Sequence, residues 1–270
     1  MNNYLRSVGK ASLLAAALGT SYFAQAKTAD EDVVDMSDPL AVFTQVGAGF
    51  TDKGLNLKLG QAYDTGDVTT AGMNVLEVKG GMGDAFGWRG KNTTDNSIDY
   101  FRYRNFSVDL TKLVGAQVDF NYNLQKNLVA EESADLSYSL IKALKPMGAF
   151  SLYPLAGVGV SIGNNAIEDD GTIDSGYSIM GTYGLLGMYA KYQVTDKLWL
   201  NYNPFWLTTI SGSDNYKDNY YGAGNSHVLT HEFAASYQFT PRFNIRYFAN
   251  WNNNVDFIDG DHRIEFNYQI

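Results

Sequence analysis

Val114-Gly115-Ala116-Gln117-Val118-Asp119-Phe120-Asn121-Tyr122-Asn123-Leu124-Gln125 decides the fold of this chain. Val114, Ala116, Val118, Phe120, Tyr122 and Leu124 share one parity, and Gly115, Gln117, Asp119, Asn121, Asn123 and Gln125 share the other. A helix that buries one face repeats near 3.6 residues, so a clean period of two means a strand lying between two different media.

The same period recurs downstream. In residues 242–252, Phe243, Ile245, Tyr247, Ala249 and Trp251 oppose Arg242, Asn244, Arg246, Asn250 and Asn252, with Phe248 as the apolar exception. In residues 227–239, Leu229, Phe233, Ala235, Tyr237 and Phe239 oppose Thr230, Glu232, Ser236 and Gln238. Leu198, Leu200, Tyr202, Pro204 and Trp206 oppose Asn201 and Asn203, and Pro204, which cannot donate to a ladder, predicts a bulge or bend. The sequence finishes on another such strand, residues 262–270, whose closing partner in a barrel would be the first strand. Weaker alternation marks residues 41–50, 55–63, 73–82, 97–109, 134–142, 149–162 and 177–194. In 97–109 the apolar parity slips from Phe101 and Tyr103 to Phe106 and Val108, which predicts a β-bulge near Arg104.

Tight turns at Thr111-Lys112, Lys145-Pro146, Thr195-Asp196 and Thr240-Pro241 alternate with long polar stretches at 83–96, 163–175, 211–226 and 252–261. That rhythm belongs to transmembrane barrels. The segments make an all-β, antiparallel up-and-down barrel of about twelve strands, with ten and fourteen as the neighbouring even counts. An even count puts both ends on the tight-turn side. A secreted β-sandwich would alternate too. Against it stand Tyr122, Tyr202, Trp206, Tyr237, Trp251 and Tyr268, rings on apolar faces near strand ends that suit a lipid–water boundary.

The N-terminal residues fit export. Arg6 and Lys10 precede the apolar run 11–18, and Ala24-Gln25-Ala26 forms a small-x-small cleavage site, so residues 1–26 read as a cleaved signal peptide. Residues 27–39 are acidic and aperiodic and read as a disordered periplasmic tail, and residues 40–270 read as the barrel. The 270-residue chain has a net charge of -9, which argues against nucleic acid as a partner. It has no cysteine, so disulfides and thiolate metal sites are excluded. Mean hydropathy is slightly negative, as expected where half of each strand faces a wet lumen.

With its leader, turn–loop rhythm and terminal strand, the chain resembles Gram-negative outer-membrane β-barrel proteins. Members of that class commonly close on an aromatic residue with a Tyr two positions earlier, read by the barrel-assembly machinery. Phe266 and Tyr268 sit in that closing strand, and Ile270 departs from the usual Phe. In size the chain is similar to small monomeric porins such as the oligogalacturonate-specific porins, which are taken to be twelve-stranded. The resemblance implies residence in the bacterial outer membrane, with lipid, lipopolysaccharide, the assembly machinery and small solutes as partners.

Function then rests on what faces inward. Strand parity selects Lys58, Lys79, Arg102, Arg104, Lys191, Arg242, Arg246 and Arg263 as basic candidates, and Glu77, Asp119, Asp135, Glu232 and Glu265 as acidic ones. The basic excess predicts a porin for passive diffusion that favours anions such as acidic sugars, with Arg102, Arg104, Arg246 and Arg263 ranked first. If the charges only neutralise one another, the barrel is plugged and serves structure or surface display. An outer-membrane hydrolase is the third class. His227 and His231 lie roughly 13 Å apart along a strand, too far to share a metal, and nothing in the spacing of His262 supplies a nucleophile. No cofactor and no metal are expected. Gly80-Gly81-Met82-Gly83 and Gly157-Val158-Gly159 lack the strand–helix context of a phosphate loop. Gly171 beside Asp169 and Asp170 reads as a solvated loop apex rather than a calcium loop.

Overall fold

The computed structural model describes residues 33–51, 54–82 and 98–270. The leader and the long loop assigned to 83–96 lie outside them. Twelve strands run in order: β1 Gln45–Thr51, β2 Gly54–Tyr63, β3 Thr70–Gly81, β4 Tyr100–Asp109, β5 Val114–Asn123, β6 Glu132–Lys142, β7 Phe150–Ile167, β8 Ile173–Gln193, β9 Leu198–Gly212, β10 His227–Thr240, β11 Phe243–Asn252 and β12 Asp261–Gln269. Each pairs antiparallel with its sequence neighbours, and β1 pairs with β12, so the sheet is a closed barrel. Closure runs from Gln45 opposite Gln269 to Thr51 opposite Arg263, and Ile270 N–H donates to Thr44 O at 2.9 Å. Closure leaves no edge strand exposed.

The outer surface carries Leu57, Leu59, Leu76, Leu136, Tyr138, Leu140, Val158, Leu186, Ile264 and Phe266 as exposed side chains. A soluble monomer does not display so broad an apolar belt, and hydrocarbon is the medium that covers it. β7 and β8 are the longest strands. Beyond Gly181 opposite Gly212, the start of β8 pairs with β7 alone, so this hairpin projects on the long-loop side. Its tip turns at Gly171, with φ +80°, and Asp170 accepts from Thr172 N–H and Oγ1 at 2.9 and 2.6 Å.

Four expectations are corrected. β4 runs in unbroken register against β3 and β5, from Tyr100 to Asp109, so there is no bulge at Arg104. The parity slip arises because Phe106 and Val108 point inward, where Val108 is buried and both line an apolar seat. Pro204 faces His231 in register, and the pairing of β9 with β8 resumes across it without a shift. Arg242 sits in the β10–β11 turn rather than on a luminal strand position. The acidic stretch read as a free tail is, from Val34 to Pro39, ordered inside the tight-turn mouth, with Met36 and Ser37 buried.

The physical reason for that last difference lies in local bonds. Asp35 accepts from Ser37 N–H and Asp38 from Leu40 N–H, each at 2.9 Å, so the acidic side chains shape turns instead of solvating a coil. Leu40 then packs on the buried cluster Ile141, Tyr153 and Leu155.

Candidate functional site: a divided lumen

Among the described residues, two luminal cavities meet at a ring of side chains, and a third of about 220 Å³ lies by Lys79, Tyr100 and Asp261. Of the two that meet, the one on the long-loop side encloses about 740 Å³ and the one on the tight-turn side about 200 Å³. Arg102, Arg104, Tyr189 and Glu232 line both, and so mark the ring where the compartments meet. Met36, Ser37, Asp38 and Pro39 line the smaller one.

Parity places the charges of this interior. Lys58 Nζ lies 2.5 Å from Glu265 Oε1, Arg263 Nε 3.5 Å from Glu265 Oε2, and Asn56 donates to the same carboxylate at 3.2 Å. Arg104 pairs with Glu77 at 2.6 Å, and Arg102 forks onto Asp119 through Nε and Nη2. Glu232 accepts from Asn203 at 2.8 Å. Lys79 lies over the Tyr100 ring, 5.5 Å from its centroid. The guanidinium of Arg263 covers Phe248 at 4.2 Å, which explains the apolar exception in β11: its ring faces in, as a platform for a cation. Arg246 lies over the buried Trp199 and donates to Met36 O at 2.7 Å.

The sequence-derived residues Lys58, Lys79, Arg102, Arg104, Glu232, Arg246, Arg263 and Glu265 therefore all line the smaller cavity. Their expected basic excess is offset by Asp38 in that compartment and by Asp259 and Asp261 in the larger one. Of the closing residues, Phe266 and Tyr268 face outward opposite Ala48 and Val46.

Met36, Ser37 and Asp38 are fastened by groups spread around the barrel. Met36 sulfur accepts from Gln238 and Asn244 at 3.4 and 3.5 Å. Lys191 donates to Ser37 at 2.7 Å, and Tyr153 to Asp38 at 3.1 Å.

A second inward element went unread in the sequence. A short helix α1, Asp214–Asn219, sits in the β9–β10 loop, capped by Ser213 accepting from Tyr216 N–H at 3.2 Å. Tyr216 is fully buried among Val129, Ala130, Ala166 and Met180. Its hydroxyl donates to Ser161 at 3.0 Å, and Tyr220 donates to both oxygens of Asp135 at 2.7 Å. Burial pushes the Tyr216 hydroxyl up to about 12, and burial beside the Asp135 charge holds the Tyr220 hydroxyl well above its ordinary value. The signal available in sequence was the tyrosine-rich run 216–221 inside a polar loop, which lacks any period.

His231, which also borders the larger cavity, and His262 stack on outward tyrosines. His231 Nδ1 and Tyr202 hydroxyl lie 2.8 Å apart, as do His262 Nδ1 and Tyr247 hydroxyl.

No protein-family model matches the chain, and no curated protein matches it in sequence. Among solved structures, the NanC porin superposes with a TM-score of 0.52 at 9% identity, over 84% of this chain and 100% of NanC. The fold is that of a small outer-membrane porin. KdgM porin, in complex with disordered oligogalacturonate, matches at 0.46 and 8% identity over 85% of this chain and 99% of its own. An outer-membrane channel from Pseudomonas putida F1 matches at 0.48 and 8% identity, over 89% and 100%.

Proposed function

We propose that this protein is a channel of the bacterial outer membrane, delivered by a cleaved leader, through which small solutes diffuse passively and without catalysis. The observation that carries the reading is the divided, polar lumen inside a closed apolar-faced barrel, whose compartments meet at Arg102, Arg104, Tyr189 and Glu232. A lumen meant only for support would be filled by interlocking side chains, as in the narrowest barrels. A mild anion preference fits the Lys58, Lys79, Arg246 and Arg263 set in the inner compartment, tempered by the carboxylates around it. Phe266, Tyr268 and Ile270 would be the residues shown to the assembly machinery, and lipid and lipopolysaccharide would cover the belt.

A second reading is favoured by one feature. Met36 and Ser37 occupy the tight-turn mouth, as a plug of a structural or display barrel would. Planar-bilayer recordings separate the two. The channel reading expects discrete steps, a reversal potential displaced slightly toward the anion, and a larger unitary conductance after deletion of residues 33–39. Folded protein that stays silent with and without the deletion would make the barrel a plugged one.

A further inference from the structure

The larger cavity has two unlike walls. Leu155, Tyr183, Leu185, Tyr189, Phe205 and Leu207, all from the adjacent strands β7, β8 and β9, make one of them. Leu155 and Tyr183 are buried, and Leu185, Phe205 and Leu207 are half-buried. Tyr189 meets Phe205 edge to face at 5.3 Å. The apolar wall ends at Tyr189, which shares the dividing ring with Arg102 and Arg104. These arginines stand on β4, a third of the circumference away, with side chains 27% and 18% exposed.

Leucine side chains offer nothing to a sugar hydroxyl, which would lose its water there without a replacement bond. They do offer surface to a ring or a short hydrocarbon chain. The arginines supply the polar end. Asp119 takes Nε and Nη2 of Arg102, and Glu77 takes Nη2 of Arg104. A guanidinium carries five N–H donors in a planar fork, so each has capacity for another carboxylate.

Resting on the channel reading, we infer that the outer compartment takes an amphipathic monocarboxylate, an aromatic ring or short alkyl chain bearing one carboxyl group, in preference to a hydroxyl-rich sugar acid. The apolar body lies along β7–β9 and the carboxylate reaches the Arg102–Arg104 pair. Asp259 and Asp261 at the long-loop end of the cavity make an amphipathic cation the rival of equal shape.

Calorimetric titration of the folded full-length barrel in detergent tests this with sodium benzoate, sodium galacturonate and benzylammonium chloride. Benzoate is expected to bind at least tenfold more tightly than either of the others. Leu185→Asn and Phe205→Gln are expected to weaken benzoate at least threefold, and Arg104→Lys, which keeps the charge beside Glu77 but loses the fork, to erase most of its advantage over benzylammonium. Retained heat-modifiable gel mobility certifies that each variant is folded. Equal binding of benzoate and galacturonate overturns the inference, as does tighter binding of benzylammonium or indifference to all three substitutions. Silent bilayers would remove the channel reading, while the titration would still decide the ligand class.

Discussion

The two sides of the barrel interior follow opposite rules. From β10 through β12 and on to β5, inward positions hold long charged and amide side chains that pair across strands, as Lys58 with Glu265 and Arg104 with Glu77. From β6 to β9 charges are sparse, with Asp135 and Lys191 among serine, glycine, leucine and aromatic positions. Gly159 gives way to Tyr183, and Gly181 gives way to Tyr216, where an added Cβ would come within 2.3 and 2.4 Å of ring carbons. One wall fills the lumen with its own charges. The other is kept low so that aromatic groups, including those of α1, can lie against it. A barrel of fixed strand number can thus set the shape and the polarity of its lumen separately.

The strongest way to break this contrast is to orphan the charged wall. Glu265→Ala leaves Lys58 and Arg263 buried without their shared carboxylate, and should cost about 3 kcal/mol. Urea unfolding followed by Trp fluorescence in vesicles would read the loss. A negligible shift would mean that lumen water already screens the pair.

Alternation itself is tested by placing one charge on either face of β5. Val118→Arg should harm insertion by about 2–4 kcal/mol, since Val118 lies mid-strand toward lipid. Gln117→Arg enters the lumen beside Asp119, where Gln117 now donates at 2.9 Å, and should be tolerated. Equal assembly yields for the two variants would refute the assigned faces. Outward Val158→Arg on β7 should match Val118→Arg, because the two walls differ inside and not outside.

The low wall is probed by filling it. Gly159→Ala forces Tyr183 to move and should cost about 1–2 kcal/mol, read as a lower urea midpoint. Its effect on conductance should exceed that of Lys112→Ala, which removes an exposed partner of Asp109 in a tight turn and should leave stability unchanged within error.

Strand faces were legible where inward residues are polar. β5, β10, β11 and β12 emerged with ends within two residues of the observed ones, because water on one side and hydrocarbon on the other impose opposite compositions on successive positions. They blurred where inward residues are apolar. Phe106 and Val108 looked like a register shift because composition reports that a side chain avoids water, and a buried luminal seat satisfies that as well as lipid does. The basic set was found by parity, but its balance was misjudged. Asp38 and Asp259 reach the lumen from segments outside the strands, where parity has no meaning, and Asp261 does so from the first position of β12, one residue before the strand expected from sequence.

The sequence by itself determined an antiparallel barrel of about twelve strands, with ten and fourteen left open, and the faces of its clearest strands, since these depend on neighbours one and two residues apart. Tertiary structure alone decided what occupies the interior. Arg246 holds Met36 across 210 positions, and Tyr220 reaches Asp135 across 85. Such contacts exist only after the cylinder has closed, and aperiodic segments like 33–44 and 213–226 leave no local pattern from which to foresee them.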